Sequence, residues 1–394
     1  MPQLTPSQAA EIALGTYVLK SRTVSSVTSA SSGLRSQGDN LLGIKDLFSA
    51  NDQDQLHGTS GVPLFKHLTG FGYIAQGVGA YKGEALVALR GTDIVPDWLT
   101  DATIGVSSGP TGTPVHMGFN TTYKSFAPEI QAYFKSHRPT AIHCVGHSLG
   151  GALATLAADY LSANTGARVE LYTFGSPRTG GPAFARGVTE RLTAERIHRV
   201  YHPADPVPMV PLWPFAHVPK GAGGLAIATS ETTRIAPSAH SMSDSYVQGM
   251  VGKSWGALKS NGAQTLTDRQ IRAWLTRASK GGVLSWNARV YEMIGIALDW
   301  ILRQCGTAMV IALQAAIGGT ITMLDQLAYM LTRAVEISRE ISGYVQSLIT
   351  IILKFIGRTA AKGVSLTEQF IRWVLDVMMS TMRSMVSGAL SVLR

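Results

Sequence analysis

Hydrophobic and polar positions divide the chain into two unlike parts. Over residues 1–250 short apolar runs alternate with stretches at helical spacing. The runs at 72–78, 84–89, 141–145, 169–174 and 196–201 predict strands. Glu84-Ala-Leu-Val-Ala-Leu89 has the nearly unbroken apolar character of a strand buried on both faces. Residues 120–136, 151–163 and 183–191 predict helices. Residues 1–19 predict another, with Thr5-Pro6-Ser7 as its cap. Residues 20–64 are polar, rich in Gly and Ser, and read as turns. Strands alternating with helices predict an α/β fold with a mostly parallel sheet covered on both faces.

The pattern changes after residues 252–267, a stretch with three glycines and little periodicity that reads as a linker. Residues 304–324 run 21 positions without a charge, and 341–353 run 13. Ser365-x-x-Glu368 is a capping box that opens a last helix. In that helix Gln369, Arg372, Asp376, Ser380, Arg383 and Ser387 form one narrow polar stripe at three- and four-residue steps. A helix with so thin a polar face must bury most of its girth, in a bundle or in lipid. The expected organisation is an α/β domain over residues 1–250, a linker region with a short helix over 251–284, and an apolar, amphipathic helical domain over 285–394.

Composition sharpens the division. Charged residues make up 15% of the chain, against about 25% for ordinary soluble domains. Residues 251–394 hold 16 Lys and Arg against 8 Asp and Glu, whereas residues 1–250 hold 18 against 17. Nearly all of the +9 net charge therefore sits in the apolar tail, which favours contact with a membrane surface. No ladder of aromatic and basic residues supports nucleic-acid binding, which is excluded. Two cysteines, Cys144 and Cys305, give neither a disulfide framework nor a zinc site. No acidic loop marks a metal site, so neither metal nor cofactor is expected. The N-terminus lacks a basic start and carries Pro6, Gln8 and Glu11, so a protein made in the cytoplasm without a signal peptide is expected.

The chemistry centres on Val-Gly-His-Ser-Leu-Gly-Gly-Ala-Leu at residues 145–153. Gly146-x-Ser148-x-Gly150 between a strand and a helix has the form of a nucleophile elbow, a sharp turn that presents a serine hydroxyl. A serine hydroxyl needs a base to take its proton, and the base needs a carboxylate to fix its tautomer. Elbow hydrolases follow the chain order serine, acid, histidine. Asp205, in a proline-stiffened loop just past the 196–201 run, is the best acid. His202, His217 and His240 compete as base. His202 lies only three residues before the acid, and chain order and loop placement favour His240 over His217. The oxyanion formed on attack requires donors already in place, and these are the backbone N–H of Leu149 and Thr92 after the 84–89 strand.

Several motifs in this order resemble the class 3 lipases, the fungal-lipase-like branch of the α/β-hydrolases. They are Leu89-Arg-Gly-Thr92 with Asp97-Trp98, His116-x-Gly118-Phe119, Gly146-His-Ser-Leu-Gly-Gly151, Thr173-Phe-Gly-Ser-Pro-Arg178 and Asp205-Pro-Val-Pro208. The resemblance spans about residues 70–246. It implies an α/β-hydrolase that cleaves lipid esters through an acyl-serine intermediate. It assigns Ser148 as nucleophile, Asp205 as acid, His240 as base, and Thr92 with Leu149 as the oxyanion hole. Ala239 departs from the pattern, since relatives often carry Asp before the histidine.

The N-terminal segment 4–11 and the apolar tail also resemble bacterial lipase effectors of type VI secretion. That resemblance implies a toxin exported by a specialised system to a target-cell membrane, with an immunity protein, a chaperone or a secretion component as partner. Ile94, Val95, Trp98 and Leu99 either line a lid over the site or, for Trp98, pack inward. The tail is expected to be an amphipathic domain that meets a membrane. The expected activity is that of a lipolytic serine hydrolase of phospholipase A type acting on phospholipid or other ester lipid. A membrane-inserting tail module and a soluble carboxylesterase or triacylglycerol lipase are the alternatives.

Overall fold

The apolar runs pair into one mixed nine-stranded sheet in the computed structural model. The structure describes residues 2–20, 44–50, 54–60, 67–91, 105–221, 223–227, 234–261, 266–282, 284, 287–304, 322–359 and 364–391. In chain order the strands are β1 (Phe48–Ser49), β2 (Gln55–Ser60), β3 (His67–Gly77), β4 (Ala85–Leu89), β5 (Val106–Ser108), β6 (Pro114–His116), β7 (Ala141–His147), β8 (Arg168–Phe174), β9 (Ile197–Tyr201), β10 (Gly224–Ala226) and β11 (Lys259–Asn261). The sheet runs β1-β3-β4-β7-β8-β9-β10-β11, with β2 also on β3, while β5 and β6 form a separate hairpin. Strands β4, β7, β8, β9 and β10 are mutually parallel. β3 and β11 lie antiparallel at the two sides.

Period-two alternation sends neighbouring side chains to opposite faces of this sheet. Val87, Leu89, Ile142, Cys144, Val169 and Leu171 share one core with helices α2 (Met117–Ser136), α3 (Leu149–Asn164) and α4 (Pro182–Leu192). Leu86, Ala88, Val145, Tyr172, Phe174 and Val200 share the other with α1 (Pro6–Gly15) and with Met242, Tyr246 and Met250. α1 starts at the Thr5 cap, where Thr5 and Gln8 satisfy each other's backbone N–H groups. The mostly parallel α/β sheet expected from the alternating pattern, and the α/β-hydrolase class that the resemblance implies, are the architecture observed.

The tail folds as helices α5 (Asp268–Lys280), α6 (Ala288–Arg303), α7 (Met323–Ile337), α8 (Arg339–Phe355) and α9 (Glu368–Ser391). In α9 the polar stripe from Gln369 to Arg383 faces outward, and Ile371, Val374, Leu375, Met378, Met382 and Val386 are buried. Those side chains, with Leu298 and Ile301 of α6, belong to one continuous core with Leu212 and Trp213 of the α/β body. Each such burial stabilises by about 1.5–3 kcal/mol. Among the described residues no helix is long and apolar enough to cross a membrane. Most of the uncharged run at 304–324 lies outside the described residues.

Two features differ from the sequence reading. The region expected to link the halves holds its expected short helix, α5, which packs on α8, but it also supplies β11, which pairs with β10. β1, β2, β5, β6, β10 and β11 carried no usable pattern. They are short, or lie at a sheet edge, where backbone pairing rather than an apolar alternation holds a strand in register.

Candidate active site

β7 ends at His147 and α3 begins at Leu149, so Ser148 alone makes the turn. Its backbone stands at φ 58°, ψ −130°, a conformation that costs a residue with a side chain on the order of 1–3 kcal/mol. The surroundings hold it there. Ser148 N–H donates to the carbonyl of Phe174 at 2.9 Å, and Gly151 N–H donates to the Ser148 carbonyl at 2.9 Å. The elbow glycines are dictated by contact. A Cβ on Gly146 would lie 2.1 Å from the Gly150 carbonyl oxygen, and one on Gly150 would lie 2.2 Å from that of Leu89.

The structure brings Ser148, His240 and Asp205 together from three separate segments, all with side chains shut away from solvent. His240 Nε2 lies 2.8 Å from Ser148 Oγ, and His240 Nδ1 lies 2.7 Å from Asp205 Oδ2. Facing a carboxylate, Nδ1 carries the proton, which leaves Nε2 to accept from the serine hydroxyl. Asp205 Oδ1 accepts the Val207 N–H at 2.9 Å, and Oδ2 also accepts the Tyr246 hydroxyl at 2.6 Å. Leu149 is the first residue of α3, where no intrahelical carbonyl can reach its N–H. Thr92 and the lid candidates Ile94, Val95, Trp98 and Leu99 lie outside the described residues. Gly91, one residue before Thr92, packs against Ser148, since a Cβ there would sit 3.0 Å from the serine Cβ.

The other two histidines take different places. His202 Nδ1 accepts from the Ala204 N–H at 3.0 Å within the Asp205 loop. His217 lines a cavity whose wall includes neither Ser148 nor His240.

Three contributors were given no role from the sequence, although His147 and Gly175 fall within the motifs quoted above. Tyr246 holds Asp205 and accepts the His202 N–H at 3.1 Å. Burial, reinforced by the Asp205 charge, pushes its phenol well above the usual range, so it stays a donor. Gly175, at φ 54°, leaves room for the acid–base pair, because a Cβ there would fall 2.8 Å from Asp205 Oδ2 and 3.1 Å from His240 Cε1. His147 stacks on His240 with ring centroids 4.6 Å apart. Its Nε2–H donates to the His240 carbonyl at 3.1 Å, and its Nδ1 accepts from the Tyr17 hydroxyl at 2.7 Å.

The tail braces this assembly. Gly388 of α9 packs on Pro237, which opens the turn bearing His240, with an added Cβ only 3.3 Å from Pro237 Cγ. Gly295 of α6 packs on Leu212, just past the Asp205 loop.

Two predictions follow from these contacts. Tyr246→Phe removes a donor to a buried carboxylate, an interaction of about 1.5–3 kcal/mol. It should lower kcat/KM on a soluble ester at least tenfold with the fold intact, and an unchanged value contradicts that role. The second concerns pH. Burial, with the neighbouring His240, holds His147 well below the usual histidine range, so it is neutral in the folded chain. The unfolded chain takes up that proton near pH 6.5. The stabilisation is therefore full above about pH 6.5 and falls by up to about 1.4 kcal/mol per unit below it. Urea midpoints at pH 7 and pH 5.5 should separate more for the wild type than for His147→Gln, and equal separations contradict the assignment.

Comparison with known proteins finds similarity to lipases. The model of the lipase (class 3) family matches residues 86–215. A secreted mono- and diacylglycerol lipase 1 of Fusarium solani is 41% identical over 147 residues, 34% of this chain and 43% of that protein. Phospholipase A1-II 1 of Oryza sativa subsp. indica is 32% identical over 161 residues, 34% of this chain and 40% of that protein. Both matches span less than half of the relative. A solved triacylglycerol lipase described as having a serine protease triad aligns with TM-score 0.39 and 24% identity, over 56% of this chain and 78% of that one. Several relatives are named secreted lipases. That finding overturns the expected cytoplasmic product made without a signal peptide for a specialised export system.

Proposed function

From the match of residues 86–215 to the class 3 lipase family, we propose that the chain hydrolyses acyl ester bonds of glycerolipids through an acyl-Ser148 intermediate. The observation that carries the reading is the continuous relay of Ser148 Oγ, His240 Nε2, His240 Nδ1 and Asp205 Oδ2, at 2.8 and 2.7 Å. As Ser148 Oγ attacks the ester carbonyl carbon, its proton passes to His240 Nε2. Asp205 stabilises the resulting imidazolium and keeps its ring oriented. The N–H of Leu149, with Thr92, holds the negative oxygen of the tetrahedral intermediate, where one donor is worth about 3–4 kcal/mol of barrier. Collapse breaks the bond to the alcohol, which leaves with the proton from His240. A water then repeats the sequence in reverse and frees the fatty acid.

Phospholipid is the preferred substrate class in this proposal. A phospholipase A1 stands among the relatives, and the basic tail favours anionic bilayers. Fatty-acid release is to be measured on vesicles of defined phosphatidylglycerol and on dispersed diacylglycerol, with wild type beside Ser148→Ala. The proposal expects release from both lipids, faster from the vesicles, and none by the variant. Release confined to diacylglycerol refutes the phospholipid preference, and undiminished release by the variant refutes the whole reading.

A further inference from the structure

A cavity of about 600 Å³ lies where the α/β body meets α6. This is a volume typical of small-ligand sites. Asp205 is in its wall, but Ser148 and His240 are not, so it is a chamber apart from the nucleophile. The body contributes two guanidinium groups, Arg178 from the loop after β8 and Arg199 from β9.

The charges around this space do not balance locally. Each carboxylate in the wall is already engaged. Asp205 holds His240 and Tyr246, Glu292 faces Arg289 at 3.6 Å, and Asp299 is paired with Arg303. Among the described residues, neither Arg178 nor Arg199 has an ion-pair partner within 4 Å, and Glu292 is the acid that acts on both at longer range. Arg178 donates to the carbonyls of Met209 and Pro211, the latter at 3.0 Å. Arg199 lies over the Tyr201 ring at 4.9 Å, and its Nε has no hydrogen-bond partner. Burial, with these two cations beside it, holds His217 well below the usual histidine range, so it adds no charge of its own. Two half-buried permanent cations without a paired anion are costly. An anion in the cavity would remove that cost, and planar guanidinium forks match phosphate oxygens in pairs.

We propose that this cavity is a binding site for a phosphate group, held by Arg199 and Arg178, separate from the ester-cleaving centre. Inorganic phosphate and the phosphodiester of a lipid headgroup share the chemistry, and Met209, Leu212 and Trp213 in the wall offer apolar contact to the carbon part of the latter. The site does not depend on Ser148 chemistry, so its failure and the failure of the hydrolase reading are distinguishable.

The test is calorimetric titration of the full-length Ser148→Ala protein, which turns nothing over, with inorganic phosphate, glycerophosphoglycerol and acetate in parallel. Saturable binding of either phosphate compound at least tenfold tighter than acetate supports the site. The tighter of the two identifies the source, free phosphate or headgroup. Adding Arg199→Gln should weaken that binding at least tenfold. If that protein fails to fold, Arg199→Lys keeps the charge but loses the planar fork and should still weaken binding severalfold. No phosphate binding, binding no tighter than acetate, or affinity indifferent to a folded Arg199 variant overturns the proposal.

Discussion

Ser148→Ala is expected to lower ester hydrolysis by about 10⁴-fold or more while leaving the fold unchanged. The size follows from the atom removed. Ser148 Oγ is the group in contact with His240 Nε2, and without it there is no oxygen to form the acyl intermediate. Stability should not fall with activity. An alanine keeps the Cβ at the turn, and the backbone bonds from Ser148 to Phe174 and Gly151 need no hydroxyl. The strained φ of 58° persists in the variant, so the elbow is neither relieved nor newly burdened. The check is kcat on a soluble ester together with a urea melt. Retained kcat in a folded variant contradicts the role given to Ser148.

Asp205→Asn should cost about 10⁴-fold in kcat with little change in KM. The reason lies in which way the amide must point. Asp205 Oδ1 accepts the Val207 N–H, and this position demands an oxygen. The amide NH₂ is therefore turned to the Oδ2 position, facing His240 Nδ1 and the Tyr246 hydroxyl. A donor there forces the imidazole to carry its proton on Nε2, where it can no longer accept from Ser148. Steady-state kinetics measures the loss, and a decrease of less than tenfold contradicts the tautomer argument. Asp205→Ala should be comparably slow, because it leaves the ring free to turn.

How much of this was legible in the sequence depends on where each constraint acts. β4, β7, β8 and β9 were readable because central parallel strands bury both faces and so appear as apolar runs. The elbow was readable because Gly146 is imposed by a contact within one strand–turn–helix unit, its 2.1 Å approach to Gly150, while Gly150 is imposed by neighbouring β4. Ser148, Asp205 and His240 were picked by their order along the chain, and the structure places them in one relay. Tyr246, Gly175 and His147 were not legible. Gly175 and His147 lie within quoted motifs, but their roles exist only once distant segments meet, and a motif does not say that its glycine makes room for an imidazole. The helical tail showed its apolar periodicity but not its destination. A membrane-facing domain was expected, and nothing in its pattern indicated that α6 and α9 also pack on segments next to Asp205 and His240. Periodicity reports that a helix has a face to bury, not what covers it.

Covalent labelling tests the central claim most directly. A fluorophosphonate carries a tetrahedral phosphorus that an activated serine attacks with loss of fluoride, and the adduct is read by mass spectrometry of the digested protein. The account predicts one stoichiometric adduct, on the peptide that holds Ser148, and its disappearance in a folded His240→Ala protein. Hydrolysis of lipid esters by a protein that takes up no label at Ser148, or label that persists there without His240, would contradict it.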